Sequence, residues 1–325
     1  MPHSCDWEAA ERTRLISHAA EYTVARVRLG VNNCFAVKRW PEPREWAEIV
    51  SHELGLKLVQ FSYDLLDPRS PKPVIDLMVE EIRDAVREYG LELHSTFTGL
   101  AAYSFNLLGH PNPVLRADAF DWYSRAIGVA GELGALATGG HVAAMSHRDW
   151  SSRRERVLEE IVSLVASLTS IARRAGLKML LWEPMPVPRE PPHTIREAKD
   201  ILKKLDSRSR IPVRLCIDLG HACAWHYEEE RDLDPYAWLR ELAPLSPAMH
   251  VQQTDGKADR HWPFTDEYNR LGIIRPDKVL EAIDESGASE VLLFLEIIHP
   301  FEARDDKVLE DLKRSVEYWR DYVPA

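Results

Sequence analysis

The feature that most restricts the fold of this chain is a phrase used five times, in which a helix-like segment ends in glycine and an apolar strand begins at once. It reads ELGLKLVQF at Gly55, EYGLELHSTF at Gly90, ELGALATGG at Gly134, RAGLKMLLWE at Gly176 and ESGASEVLLFLE at Gly287. Glycine adopts the left-handed conformation that closes a helix without steric cost, so each phrase predicts a helix end and a strand start. The strands are short, continuous apolar runs, as in a parallel sheet covered by helices, and the segments between them carry helical spacing.

Strand ends placed at Asn33, Tyr63, Thr96, Gly140, Glu183, Asp218, Gln252 and Glu296 lie 30 to 44 residues apart, room for a strand, a helix and two loops. Eight such units predict a single-domain α/β chain, a closed (β/α)8 barrel over residues 25–325. The first strand is expected over Val27–Asn33, a helix begins near Trp46, and others cover 74–88, 113–132, 154–174 and 307–319. An open doubly wound sheet is the alternative, but no G-x-G-x-x-G or G-x-x-x-x-G-K-[ST] follows any strand. Residues 1–24 read as an extension, helical from Trp7 to Tyr22.

Composition narrows the partners. A formal net charge of -11 works against nucleic acid, because phosphate contacts need clustered Lys and Arg, and it favours a small-molecule substrate. Cys5, Cys34, Cys216 and Cys223 are scattered without C-x-x-C spacing, which predicts reduced thiols in a cytoplasmic protein. No apolar run reaches the length of a membrane span, and no signal-peptide pattern opens the chain.

Four of the predicted strands close on an oxygen-bearing side chain: MLLWE on Glu183, VRLCID on Asp218, AMHVQ on Gln252 and VLLFLE on Glu296. In a parallel barrel all carboxyl ends face one way, and active sites are built there. The four residues therefore converge, and an all-oxygen set suits a hard divalent ion, Mn²⁺ or Mg²⁺, with Co²⁺ tolerated. A single such carboxylate could equally cap a helix or pair with a cation; the set of four points to a metal. His221, three residues after Asp218 in D-L-G-H, is placed to reach a substrate oxygen, or else caps the next helix. His250 lies two residues before Gln252, on the same strand face and one layer deeper, which suits a supporting or core group rather than a ligand. Three loops on this side are long: 98–112 with Tyr103, Phe105, Leu107 and Leu108; 184–193; and 254–273 with His261, Trp262 and Phe264.

With E-P at 183–184, D-x-G-H at 218–221, H-V-Q-Q-T-D at 250–255 and L-E-I at 295–297, the chain resembles the xylose isomerase-like TIM-barrel superfamily, in particular its D-tagatose 3-epimerase-like branch. The resemblance covers about residues 26–320. It implies that Glu183, Asp218, the seventh-strand residue and Glu296 bind the ion, with Glu183 and Glu296 also the catalytic acid/base pair. Family members usually carry H-x-H-x-x-D on strand seven; here Gln252 stands where the second His would be, and since an amide oxygen can replace an imidazole nitrogen as a ligand, the site need not be lost while metal affinity and preference stay open. The segments N-N-C-F-A at 32–36, H-S-T-F-T-G-L-A-A-Y-S at 94–104 and R-H-W at 260–262 also look like a subgroup acting on short ketoses and their phosphates, tetrulose phosphates included. The resemblance further suggests a homodimer or homotetramer.

The implied reaction is epimerisation of a ketose or ketose phosphate, in which one carboxylate removes the α proton and the other returns one to the opposite face. Candidate substrate-binding residues are Asn33, Tyr63, His94, Thr96, His141, Arg189, Glu190, His221, Arg260 and His261, and a phosphate would fall to Arg189, Lys257, Arg260 or backbone N–H groups. The competing readings are an aldose-ketose isomerase, a metal-dependent hydrolase or endonuclease IV-like enzyme, and a non-catalytic sugar-binding barrel.

Overall fold

The computed structural model describes residues 25–223 and 229–323; the 1–24 extension and Cys5 lie outside them. Eight parallel strands close in chain order: β1 Arg26–Asn32, β2 Leu58–Ser62, β3 Glu92–Phe97, β4 Ala137–Gly140, β5 Met179–Trp182, β6 Val213–Asp218, β7 Ala248–Val251 and β8 Glu290–Leu295. Closure is made by β8 against β1, in register from Arg26 opposite Glu290 to Val31 opposite Leu295. The outer layer contains α1 Pro43–Glu48, α2 Lys72–Glu88, α3 Pro113–Leu133, α4 His147–Arg174, α5 Ile195–Asp206, α6 Pro235–Leu242, α7 Asp266–Leu271, α8 Pro276–Ser286 and α9 Asp305–Arg320.

Local chemistry sets these boundaries. All five phrase glycines have positive φ, between 60° and 89°. Helix starts carry side-chain caps: Asn112 accepts from the Val114 N–H with Pro113 at the first position, Ser146 accepts from Asp149, and Thr194 accepts from Glu197. Gly139 is required by close packing, since a Cβ there would lie 2.0 Å from the Leu181 carbonyl oxygen across the β4–β5 pair.

The expected helices are present, and α4 begins earlier than its spacing suggests, through a non-helical residue at Arg153. The first strand ends at Asn32, so Asn33 opens a 3-10 turn instead of closing the strand. The third long loop is partly helical, since α7 lies within it.

Two apolar layers form. The larger lies between strands and helices; the smaller fills the barrel lumen with Leu58, Phe97, Leu181, Ala248, Leu292 and Phe294 among its members. Among the described residues no helix is long and apolar enough to cross a membrane, and Cys34, Cys216 and Cys223 are free thiols.

Candidate active site

Because side chains alternate along a strand, the residues two beyond the lumen-filling Leu181, Cys216, Ala248 and Phe294 share their inward face. They are Glu183, Asp218, His250 and Glu296, all buried, and one ligand-capable atom of each lies within 4.8 Å of the others. His250 Nδ1 stands 3.0 Å from Glu296 Oε2, 3.4 Å from Glu183 Oε1 and 3.9 Å from Asp218 Oδ2. Its Nε2 lies 2.6 Å from the carbonyl oxygen of Gln60. That oxygen also accepts from Asn32 Nδ2 at 2.9 Å, while Gln60 Nε2 donates to Ser95 Oγ at 3.0 Å, so Gln60 is fixed as the acceptor and His250 Nε2 as the donor. Nδ1 is thereby turned toward three carboxylates. Neither His250 Nδ1 nor Glu183 Oε1 has a hydrogen-bond partner, although both are buried. Two buried atoms without partners, a carboxylate oxygen and an imidazole nitrogen, set among further carboxylate oxygens fit a divalent cation.

This geometry revises two expectations. His250 belongs to the cluster instead of lying beneath it as a core group. Gln252, expected as a ligand through its carbonyl oxygen, has that oxygen engaged by the backbone N–H groups of Arg260, at 3.2 Å, and His261. Its NH2 group donates to both oxygens of Asp218, each at 3.0 Å, and to Asp259 Oδ1 at 2.7 Å. The reason is tertiary: the loop after β7 folds back, with Gln253 bridging Trp262, and delivers two backbone donors to the amide.

A second cluster adjoins the first. Asp218, His221 and His261 could also share an ion, and Asp259 Oδ2 lies 3.4 Å from His221 Nε2 and 3.1 Å from His261 Nε2. The Pro184 carbonyl oxygen, 2.8 Å from His221 Nδ1, orients that ring. Burial works to lower the pKa of both histidines, but Asp218 and Asp259 hold His221 well above its ordinary value, and Asp259 chiefly pushes His261 up to about 9. Burial raises the Asp218 pKa, with His221 and His261 opposing it. For Asp259 burial is outweighed by the same two histidines, which hold it well below the carboxylate range. Sequence reasoning missed Asp259; its one signal was the D-R-H spacing before His261.

Glu190 lies at the edge of the site, where burial pushes its pKa up to about 7 against the pull of Arg189 and His221. His141 is buried with both ring nitrogens unpartnered, and Tyr103 stacks on it with ring centroids 5.3 Å apart. The Tyr103 hydroxyl donates to Glu183 Oε2. Asn33 accepts from the Ser62 N–H at 2.7 Å, joining the ends of β1 and β2, and its Nδ2 is buried without a partner.

The other candidates stand elsewhere. Tyr63 donates to the Ala126 carbonyl of α3 at 2.5 Å and receives the Thr96 hydroxyl at 2.9 Å, so both belong to the layer between barrel and helices. His94 is level with the start of β4, its carbonyl accepting from the Leu136 N–H, toward the closed end of the barrel. Arg189 donates to the Met145 carbonyl at 3.1 Å. Arg260 pairs with Asp255 at 3.1 Å and lies over the Trp262 ring, while the Lys257 N–H donates to Asp255.

Comparison with known proteins agrees with the barrel fold. The chain is 28% identical over 299 residues to the D-erythrulose 1-phosphate 3-epimerase of Brucella abortus (strain 2308), covering 91% of this chain and 96% of the relative. A provisionally named xylose isomerase from Rhodospirillum rubrum ATCC 11170 superposes with a TM-score of 0.85 at 37% identity, over 92% of this chain and 100% of that one. The D-psicose 3-epimerase of Clostridium cellulolyticum H10, solved with D-tagatose, shares the fold, with a TM-score of 0.68 at 15% identity over 92% of this chain and 100% of its own. The profile of the xylose isomerase-like TIM barrel matches residues 50–322, and the chain belongs to that family.

Proposed function

We propose that this sugar epimerase inverts C3 of a short ketose phosphate, a tetrulose phosphate, with a divalent cation, Mn²⁺ first among the candidates, held by Glu183, Asp218, His250 and Glu296. The observation that carries the reading is the pair Glu183 and Glu296, buried on non-adjacent strands of one ring and both within reach of the same point. The Brucella relative, named for a tetrulose phosphate, supports the substrate class.

When bound, the cation supplies Lewis acidity that eases the build-up of negative charge on the sugar oxygens. Glu183 and Glu296 approach the sugar from different sides, so one can take the C3 proton and the other return a proton to the opposite face. His221 and His261 have both ring nitrogens engaged, His221 by Pro184 and Asp259 and His261 by Asp259 and the Glu296 carbonyl, so they hold the Asp259 carboxylate beside the site. Asn32 Nδ2, which donates to Glu296 Oε1 at 3.1 Å, fixes one carboxylate oxygen and leaves the other for proton transfer.

The deciding experiment is NMR in D₂O of metal-loaded protein with free and phosphorylated tetruloses, pentuloses and hexuloses. Deuterium at C3 with the inverted product, absent from Glu183→Gln and Glu296→Gln, is expected. Exchange at C1 with aldose formation would replace the epimerase by an aldose-ketose isomerase, and no exchange with any ketose would sink both.

A further inference from the structure

The loop after β3 rises over the cluster as an arch fixed at both ends. At its start the Asp64 carboxylate accepts from the Leu100 N–H at 2.6 Å and the Ala101 N–H at 3.3 Å. Gly99 permits that clasp, since a Cβ there would lie 2.1 Å from the Asp64 carboxyl carbon. At its far end Asn106 is tied to Ala144 by two hydrogen bonds, Nδ2 to the carbonyl at 2.8 Å and its own carbonyl from the Ala144 N–H at 3.0 Å. Leu107 bridges Ala143 beyond.

Between these anchors the side chains divide. Ala101, Ala102, Ser104 and Phe105 line an outer cavity of about 620 Å³ on the side away from the barrel axis. Tyr103 is not among the residues of that cavity; it turns inward, with its hydroxyl on Glu183 and its ring on His141. His141 brings a buried ring to the same place, with the Phe105 backbone near it and ring nitrogens that can meet a ligand hydroxyl.

We propose that Tyr103 is a specificity-determining residue: with His141 it forms the end wall of the sugar pocket above Glu183 and limits the ketose to a short chain. The inference rests on the epimerase reading above. The wall acts by volume. A ring held by an arch pinned at both ends cannot swing aside cheaply, so each carbon added to the sugar beyond the fit meets the Tyr103 ring. Shortening the side chain opens space that a longer ketose fills, with the His141 nitrogens available to its additional hydroxyls. Removing only the hydroxyl leaves the wall standing.

The test is a comparison of kcat/KM for tetrulose, pentulose and hexulose phosphates, with wild type, Tyr103→Ala, Tyr103→Leu and Tyr103→Phe, all metal-loaded. The ratio of hexulose to tetrulose turnover is expected to rise at least about tenfold in Tyr103→Ala, the scale at which pocket size discriminates substrates, mainly through a lower KM for the longer sugar. Tyr103→Leu is expected to show a smaller rise in the same direction, and it carries the test if the alanine variant does not fold. Tyr103→Phe is expected to keep the wild-type ratio. An unchanged ratio in the alanine and leucine variants, or a change in Tyr103→Phe as large as in Tyr103→Ala, overturns the wall while leaving the epimerase reading standing. Absence of turnover by wild type with every ketose overturns the epimerase reading, and this inference with it.

Discussion

The floor and the mouth of the barrel lumen are built largely from the same strands, a few residues apart, yet they obey opposite rules. At the floor Leu58, Leu181, Ala248 and Leu292 are buried against one another with no polar group to satisfy. At the mouth Glu183, Asp218, His250 and Glu296 are equally buried, and some of their atoms find no partner. Burial without pairing destabilises a protein, so the mouth is tolerated because the floor and the outer helix layer hold the barrel. The difference separates a packed apolar layer from a buried polar cluster, and the proposal that the cluster performs the chemistry can be tested by substituting on either side of the boundary.

The largest effect is expected at the mouth. Glu183→Gln and Glu296→Gln should each lower kcat by about 10³-fold, the scale of a positioned acid or base. The metal-free thermal midpoint should be unchanged or raised, because one of several crowded carboxylates is gone. A drop in midpoint with activity retained would assign the carboxylates to the scaffold.

At the floor the pattern should reverse. Leu292→Ala should cost about 2–5 kcal/mol in urea unfolding, from lost transfer energy plus a cavity, while kcat per folded molecule stays near wild type. Comparable losses of activity and stability would mean that floor and mouth are one mechanical unit.

Cation binding should erase part of the contrast. Mn²⁺ at 100 times its Kd should raise stability by about 2.7 kcal/mol, read as a higher midpoint that falls again with a chelator. The shift should be much reduced in His250→Ala and in Asp218→Asn. An equal shift in these variants would place the cation elsewhere.

The smallest expected effect concerns His94, toward the floor, whose pKa burial lowers from 6.5 to about 4. The unfolded chain then binds more protons than the folded one between these values, so stability is lost as pH falls from 6.5 toward 4. At pH 5 the loss attributable to His94 is about 2 kcal/mol. His94→Gln should flatten that part of the stability-pH curve; an unchanged slope would mean that other groups dominate the acid limb.

Much of this was legible in the sequence, and the limits have physical causes. The repeated Gly-strand phrase located helix ends because left-handed glycine is a local requirement, and all five positions carry positive φ. The strand-end residues Glu183, Asp218 and Glu296 were readable because an apolar run that stops at a carboxylate marks the edge of a buried sheet. Tyr63 and Thr96 also stand at strand ends but point to the helix layer, since a position one residue along reverses the face. At β3 the matter was harder still, because the register against β2 shifts between Val59 and Gln60.

The sequence by itself therefore determined the barrel, its strand order and which end gathers the buried carboxylates, all of which follow from local backbone preference and apolar periodicity. Only the tertiary structure decided that His250 replaces Gln252 in the cluster, that Asp259 links His221 and His261, and that Tyr103 reaches Glu183. These contacts join residues from different strands and loops, and their atoms are matched by the folding back of loops whose course no local pattern encodes. The Gln252 amide shows the cause most directly: its chemistry would allow an oxygen ligand, and two backbone N–H groups arriving from the loop after β7 turn its donor side to the site instead.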